Sequence, residues 1–222
     1  MCTVTYLPIN ETDFILTSSR DVPFAREKAL YPKKYIEDTV EITYPKDGRA
    51  SGTWIGHSSK NRLICLLNGG FENHISEKLY RKSRGIIVKD LLKENDIFSA
   101  LSEINLDNIE PFTLVIVDWN KKLQLIELVW DGKKHIKKLK QENHIWSSST
   151  LYDEEMKQLR RDWFADWKLN NKKQDVLNFH HNAGVGDCTV DVIMKREKVG
   201  TVSITQVAKV NSKVSMDYEE IT

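Results

Sequence analysis

The chain has 222 residues, with 33 Lys and Arg against 32 Asp and Glu, a formal net charge of +1. This balance argues against nucleic acid or an anionic membrane surface as a generalised electrostatic partner. No apolar run approaches the length of a membrane span, and no charged-then-apolar leader opens the chain, so membrane insertion is not expected and a cytoplasmic location is.

The three cysteines, Cys2, Cys65 and Cys188, form no CxxC and no zinc spacing, which fits a reducing compartment and predicts no metal site. No linker is visible, so a single domain over 1–222 is expected, long enough to bury roughly 70% of the surface of the unfolded chain.

The chain begins Met1-Cys2-Thr3-Val4-Thr5-Tyr6, an alternation that reads as a strand. Cys2 is small, so removal of Met1 is expected. That would leave a thiol and a free α-amine on one residue, groups that titrate near ~8.5 and ~7.7–8. A nucleophile carrying its own base needs no separate histidine. The plainer use of such a cysteine is as a small buried hydrophobe.

A second strand is predicted over 13–19, after a turn at Pro8, Asn10 and Glu11, and a hairpin would bring 18–21 close to Cys2. Arg20 there could lower a thiol pKa and Asp21 could hold an amine. An ordinary ion pair at a strand end is the competing reading. Residues 22–50, with Pro23, Pro32, Pro45 and Asp47-Gly48, read as a long loop over the sheet edge with one short strand near 39–44.

A hairpin is expected from 51–56 and 62–67 around Asn61, ending in Leu67-Asn68-Gly69-Gly70. The Asn68 amide beside closely approachable backbone N–H groups is a candidate oxyanion hole, or simply a turn. Ile86, Ile87, Val88, Leu91 and Leu92 predict a helix to about Glu94, followed by a short one over 97–104, both on one face of the sheet. Three antiparallel strands are expected at 112–119, 123–130 and 133–139. The lysines of the last, Lys133, Lys134, Lys137, Lys138 and Lys140, read as charge against edge pairing, not as a nucleic-acid patch.

Residues 144–150 lead into a helix over 153–169, started by Ser149 or Thr150 with Asp153, Glu154 and Glu155 at its positive end. Trp163, Phe164 and Trp167 make a core stripe, and a second helix is expected over 174–180. His180 and His181, being adjacent, should point to different sides. Gly184 and Gly186 introduce strands at 189–195, 199–210 and 213–218. The resulting fold class is α+β, a four-layer αββα sandwich of two stacked antiparallel sheets with helical layers outside.

Met1-Cys2-Thr3, Ser19-Arg20-Asp21 with Pro23 and Arg26, Ser51-Gly52-Thr53-Trp54-Ile55-Gly56, Leu67-Asn68 and Ser83-Arg84-Gly85 occur in this order. Together they resemble the transport and Golgi organisation family, known for its Asn-Arg-Asp-Glu motif. That family looks like a branch of the N-terminal nucleophile hydrolases, related to the cholylglycine hydrolase and penicillin V acylase group.

The resemblance implies Cys2 as nucleophile and base, Arg20 and Asp21 as its orienting pair, and Asn68 as oxyanion donor, with Trp54, Ser147 and Ser148 toward the substrate. The chain departs from the pattern: Ser19 and Val22 replace the motif asparagine and glutamate. Ser147 or Ser148 stands where the hydrolases have an asparagine, and Cys188 lies near the place of their late arginine. The implied activity is hydrolysis of a linear amide in a small molecule, without a cofactor. The competing expectation is a carrier of a flat hydrophobic ligand such as haem, with His57, His180 or His181 as ligands.

Overall fold

The computed structural model describes residues 3–77, 79–170 and 175–221. The expectation placed on Cys2 therefore lies outside the described residues. The backbone forms two compact units, Met1–Arg26 with Glu142–Thr222, and Glu27–Gln141.

The first unit is built on a five-stranded antiparallel sheet in the order β10-β1-β2-β11-β12: β1 is Thr3–Pro8, β2 Phe14–Pro23, β10 His144–Ser147, β11 Val199–Val210 and β12 Lys213–Glu220. Asn10 closes the β1–β2 turn, its Oδ1 accepting from the backbone N–H of Thr12 (2.8 Å) and Asp13 (2.9 Å), which is how a short polar side chain fixes a turn. Helices α3 (Glu154–Asn170) and α4 (Val176–Asn182) pack Phe164 and Phe179 with Leu7, Val176 and Val192. The aromatic stripe thus does serve as core, with Trp163 and Trp167 packed against it. Asp153 begins α3, accepting from the Met156 N–H at 2.9 Å. Ser149 and Thr150 stand upstream in a turn, so the helix starts where expected but is capped by Asp153 in place of Ser149 or Thr150.

The second unit holds a seven-stranded antiparallel sheet whose strands lie in chain order: β3 (Leu30–Glu37), β4 (Val40–Lys46), β5 (Ile55–Ser58), β6 (Arg62–Asn68), β7 (Phe112–Asp118), β8 (Gln124–Trp130) and β9 (Lys134–Leu139). Helices α1 (Arg84–Lys93) and α2 (Ile97–Glu103) bury Ile87, Val88, Leu91, Leu92, Ile97 and Leu101 against Ile64, Leu66, Leu114, Ile116, Ile126 and Leu128 of one sheet face. The lysine-rich β9 is an edge strand, as its composition suggested.

Two segments differ from the sequence reading. Residues 30–46 form a hairpin in which β4 covers the strand expected near 39–44 and β3 replaces the expected loop; it is turned by Asp38 (φ 48°) and Thr39 (φ 69°), both left-handed as a two-residue hairpin turn requires. Pro32 is tolerated because β3 is the outermost strand, where a missing N–H breaks no ladder, and it falls at a register irregularity between Leu30 and Lys33. Residues 189–195 form turns, not a strand. Only the Lys195–Gly200 bridge remains there, since Asp187 and Asp191 hold the local backbone in turns through Thr189 N–H (2.9 Å) and Val185 N–H (2.8 Å).

The glycines of Ser51-Gly52-Thr53-Trp54 and Ser83-Arg84-Gly85 meet. A Cβ on Gly52 would sit 2.6 Å from the Gly85 carbonyl carbon, and one on Gly85 would sit 2.9 Å from the Thr53 backbone N and O. The Thr53 N–H donates to the Gly85 carbonyl at 3.2 Å, so the start of α1 is laid directly on the chain entering β5. Only two residues without side chains allow that approach.

Candidate active site

The site is built on β1 and β2. Thr3 lies opposite Ser19 on β2 and Ser147 on β10, and Thr5 opposite Thr17. Alternation along a strand puts Thr3, Thr5, Thr17, Ser19 and Asp21 on one side of the sheet, and Val4, Tyr6, Leu16, Ser18 and Arg20 on the other. The hydroxyl-bearing side faces α3 and α4.

There the buried His180 bridges both strands, Nδ1 lying 2.7 Å from Ser19 Oγ and Nε2 2.9 Å from Thr5 Oγ1. Burial, with smaller contributions from His181 and Arg160, pushes its pKa down to about 3, so the ring is neutral, one nitrogen donating and the other accepting. Arg160 of α3, also fully buried, donates to Thr3 Oγ1 at 2.6 Å and to the carbonyls of Val190 (3.0 Å) and Asp191 (2.9 Å).

Asp21 is held on the same side. Tyr152 donates its hydroxyl to one carboxylate oxygen at 2.7 Å, and Thr201 of β11 donates to the other at 2.6 Å. Thr201 in turn accepts from the Met194 N–H at 2.9 Å. A bulge between Thr201 and Ser203 makes this possible, because it sends these two residues, two apart in sequence, to opposite faces. The Arg160 guanidinium lies over the Tyr152 ring, 3.6 Å from its centroid.

On the other face, Arg20 pairs in register with Ser203, and Ser18 with Thr205. The hydroxyls of Ser18, Ser203 and Thr205 are buried and have no hydrogen-bond partner among the described residues. Three such groups side by side next to Arg20 are costly to bury.

The second unit holds the remaining candidates. Asn68 is the last residue of β6, followed by Gly69 at φ 86°. The Gly69 N–H donates to the Pro111 carbonyl at 3.0 Å, so the Asn68 side chain carries the oxyanion expectation at that turn. Trp54 is buried just ahead of β5, its carbonyl accepting from the Leu66 N–H at 2.8 Å.

Of the expected substrate positions in the first unit, Ser147 shares the helix-facing side with Thr3, and the buried Ser148 lies 3.0 Å, hydroxyl to hydroxyl, from Thr150. His57 is half-buried in β5, and this desolvation lowers its pKa; His181 lies 3.0 Å from Glu219, on a different side of α4 from His180. Among the described residues no group of three or more His, Cys, Asp or Glu is placed to hold a metal ion, and no helix is long and apolar enough to cross a membrane. A cavity of about 620 Å³ in the second unit is lined by α1, α2 and flanking residues, with Lys82 and Lys93 already paired to Asp90 and Asp38 (both 2.7 Å).

Sequence reasoning missed Tyr152, Arg160 and Thr201. The available signal was the run of Thr and Ser on a strand side that should have been apolar if it merely packed on helices.

Solved structures share this arrangement of strands and helices. A Caenorhabditis elegans N-acylethanolamine-hydrolyzing acid amidase ortholog superposes with TM-score 0.59 at 12% identity, over 92% of each chain. A variant of the conjugated bile acid hydrolase from Clostridium perfringens gives 0.55 at 12% identity, over 99% of this chain and 92% of that one. Penicillin V acylase from Agrobacterium tumefaciens gives 0.52 at 11%, over 100% and 86%. The fold is that of the N-terminal nucleophile hydrolases, an α+β sandwich class. Within that class the chain belongs to the Transport and Golgi organisation 2 family, whose profile matches residues 1–216. No curated protein matches it in sequence.

Proposed function

We propose that the protein is an amidohydrolase that cleaves a linear carbon–nitrogen bond in a small molecule, with Cys2 as nucleophile. The observation that carries this reading is the β1–β2 register: Thr3, bonded to Cys2, pairs with Ser19, bonded to Arg20. An arginine one position along that strand, flanked by buried hydroxyls that have no partner among the described residues, is suited to stabilise a thiolate. The fold shared with amide-cleaving enzymes supports it further.

In this reading the Cys2 sulfur attacks the amide carbon, its proton passes to the Cys2 α-amine, and the carbonyl oxygen takes the negative charge, with the Asn68 amide as donor. Collapse breaks the C–N bond as the α-ammonium protonates the leaving nitrogen, giving an amine and a thioester. Water then adds to the thioester, releasing a carboxylic acid and restoring the thiol. Trp54 and Ser148 are assigned to the substrate side. The reaction needs no cofactor.

The test is a panel of N-acyl amides with a chromogenic amine, comparing the parent with Cys2→Ala. Hydrolysis by the parent, reduced about a hundredfold or more in the variant, supports the reading. Equal rates, or a haem Soret shift without any hydrolysis, would sink it in favour of a carrier.

A further inference from the structure

The buried carboxyl group of Asp21 is gripped by two neutral hydroxyls, Tyr152 at 2.7 Å and Thr201 at 2.6 Å. Tyr152 is itself fixed from behind by the Arg160 guanidinium, 3.6 Å from its ring centre, and Arg160 also donates to Thr3 at 2.6 Å. Arg196 approaches the same ring at 5.6 Å and anchors the segment by donating to the Leu151 carbonyl at 3.2 Å. A single buried chain of contacts therefore runs from Thr3 through Arg160 and Tyr152 to Asp21.

Strand pairing fixes backbone register but not the aim of a side chain. Asp21 has two freely chosen torsions, and one donor to each oxygen removes both. The bulge in β11 serves the same end, since it turns the Thr201 hydroxyl to the face on which Asp21 emerges.

We infer that Tyr152 and Thr201 are positioning residues that aim the Asp21 carboxyl group, and that Arg160 locks this assembly to the start of β1 through Thr3. The inference rests on the reading of Cys2 as nucleophile. Under that reading Asp21 holds the Cys2 α-ammonium, and the ammonium in turn favours the thiolate beside it. Loss of aim at Asp21 then weakens the grip on the ammonium, and the thiolate forms at higher pH.

The experiment is the pH profile of iodoacetamide alkylation at Cys2, read by mass on the N-terminal peptide, for the parent, Tyr152→Phe, Thr201→Val and Thr201→Ser. The exposed Cys188 serves as internal reference and thermal melting as the folding check. The expected result is a slower Cys2 reaction at neutral pH, by about threefold or more, with the midpoint moved upward in Tyr152→Phe and Thr201→Val. Cys188 should be unchanged, and Thr201→Ser should behave as the parent because it keeps the hydroxyl.

Profiles that superimpose on that of the parent, or a change shared by Cys188, would overturn the assignment of Tyr152 and Thr201 alone. A parent that keeps Met1, or alkylates Cys2 no faster than Cys188, would instead overturn the nucleophile reading beneath it. Should Tyr152→Phe fail to fold, the Thr201→Val and Thr201→Ser pair decides the matter.

Discussion

Arg20 and Asp21, neighbours in sequence, leave β2 on opposite sides: Asp21 toward the helices, where Tyr152 and Thr201 hold it, and Arg20 toward Ser203 and the unsatisfied hydroxyls of Ser18 and Thr205. They are not a surface ion pair. Each is buried, with 3% and 2% of its surface exposed respectively, and strand alternation turns them to opposite sides of the sheet.

This division predicts different consequences for the two residues. Asp21→Ala removes the acceptor of the buried Tyr152 hydroxyl, at about 1–3 kcal/mol, while the Thr201 hydroxyl keeps the Val192 carbonyl at 3.3 Å. Urea unfolding should show a loss of about 1–3 kcal/mol, and Asp21→Asn, which retains an acceptor oxygen, should lose less. Arg20→Gln should leave the fluorescence of Trp163 and Trp167 unchanged, since those rings pack in the helical layer.

His180 links stability to pH. A histidine in the unfolded chain titrates near ~6.5, whereas His180 in the fold titrates at about 3 because burial disfavours its charge. Above the unfolded value its contribution is fully present. Below it, the unfolded chain takes up a proton that the fold refuses, so stability falls by about 1.4 kcal/mol per pH unit until the pH passes the folded value. His180→Gln keeps a donor and an acceptor but does not titrate. Between pH 7 and 5 the parent should therefore lose about 2 kcal/mol more than the variant in urea titrations, and parallel losses would contradict the assignment.

The Gly52–Gly85 approach makes a prediction for the second unit. A methyl group on Gly85 would press on the backbone of Thr53, which cannot yield as a side chain end can. Overpacking of this kind costs about 1–3 kcal/mol, so Gly85→Ala should melt roughly 2–12 °C below the parent. A melt unchanged within 1 °C, on the same scale, would mean that the two segments separate at little cost.

Strands β6 to β9 of the second sheet were legible because they alternate or run apolar between clear turns, and β7, buried along its whole length, was the plainest of them. Of the β3–β4 hairpin only a short strand near 39–44 was legible, not β3 or its pairing. Its turn is Asp38-Thr39, without the usual glycine, and its prolines signal a loop unless one knows that β3 is an edge.

At the site, the Arg20 and Asp21 positions could be named from the motif. Their opposite faces also follow from strand alternation, yet reading them as one pair concealed this. Tyr152, Arg160, His180 and Thr201 reach β1 and β2 from 131 to 180 residues away, and the spacing of one sequence holds no trace of such contacts.

The measurement closest to the central claim is the mass of the N-terminal peptide after the protein is mixed with an N-acyl amide and quenched in acid during turnover. The account predicts a peptide that begins at Cys2 and carries the acyl group on its sulfur, absent from Cys2→Ala. A peptide that still begins at Met1, or an acyl group found only elsewhere in the chain, would contradict it.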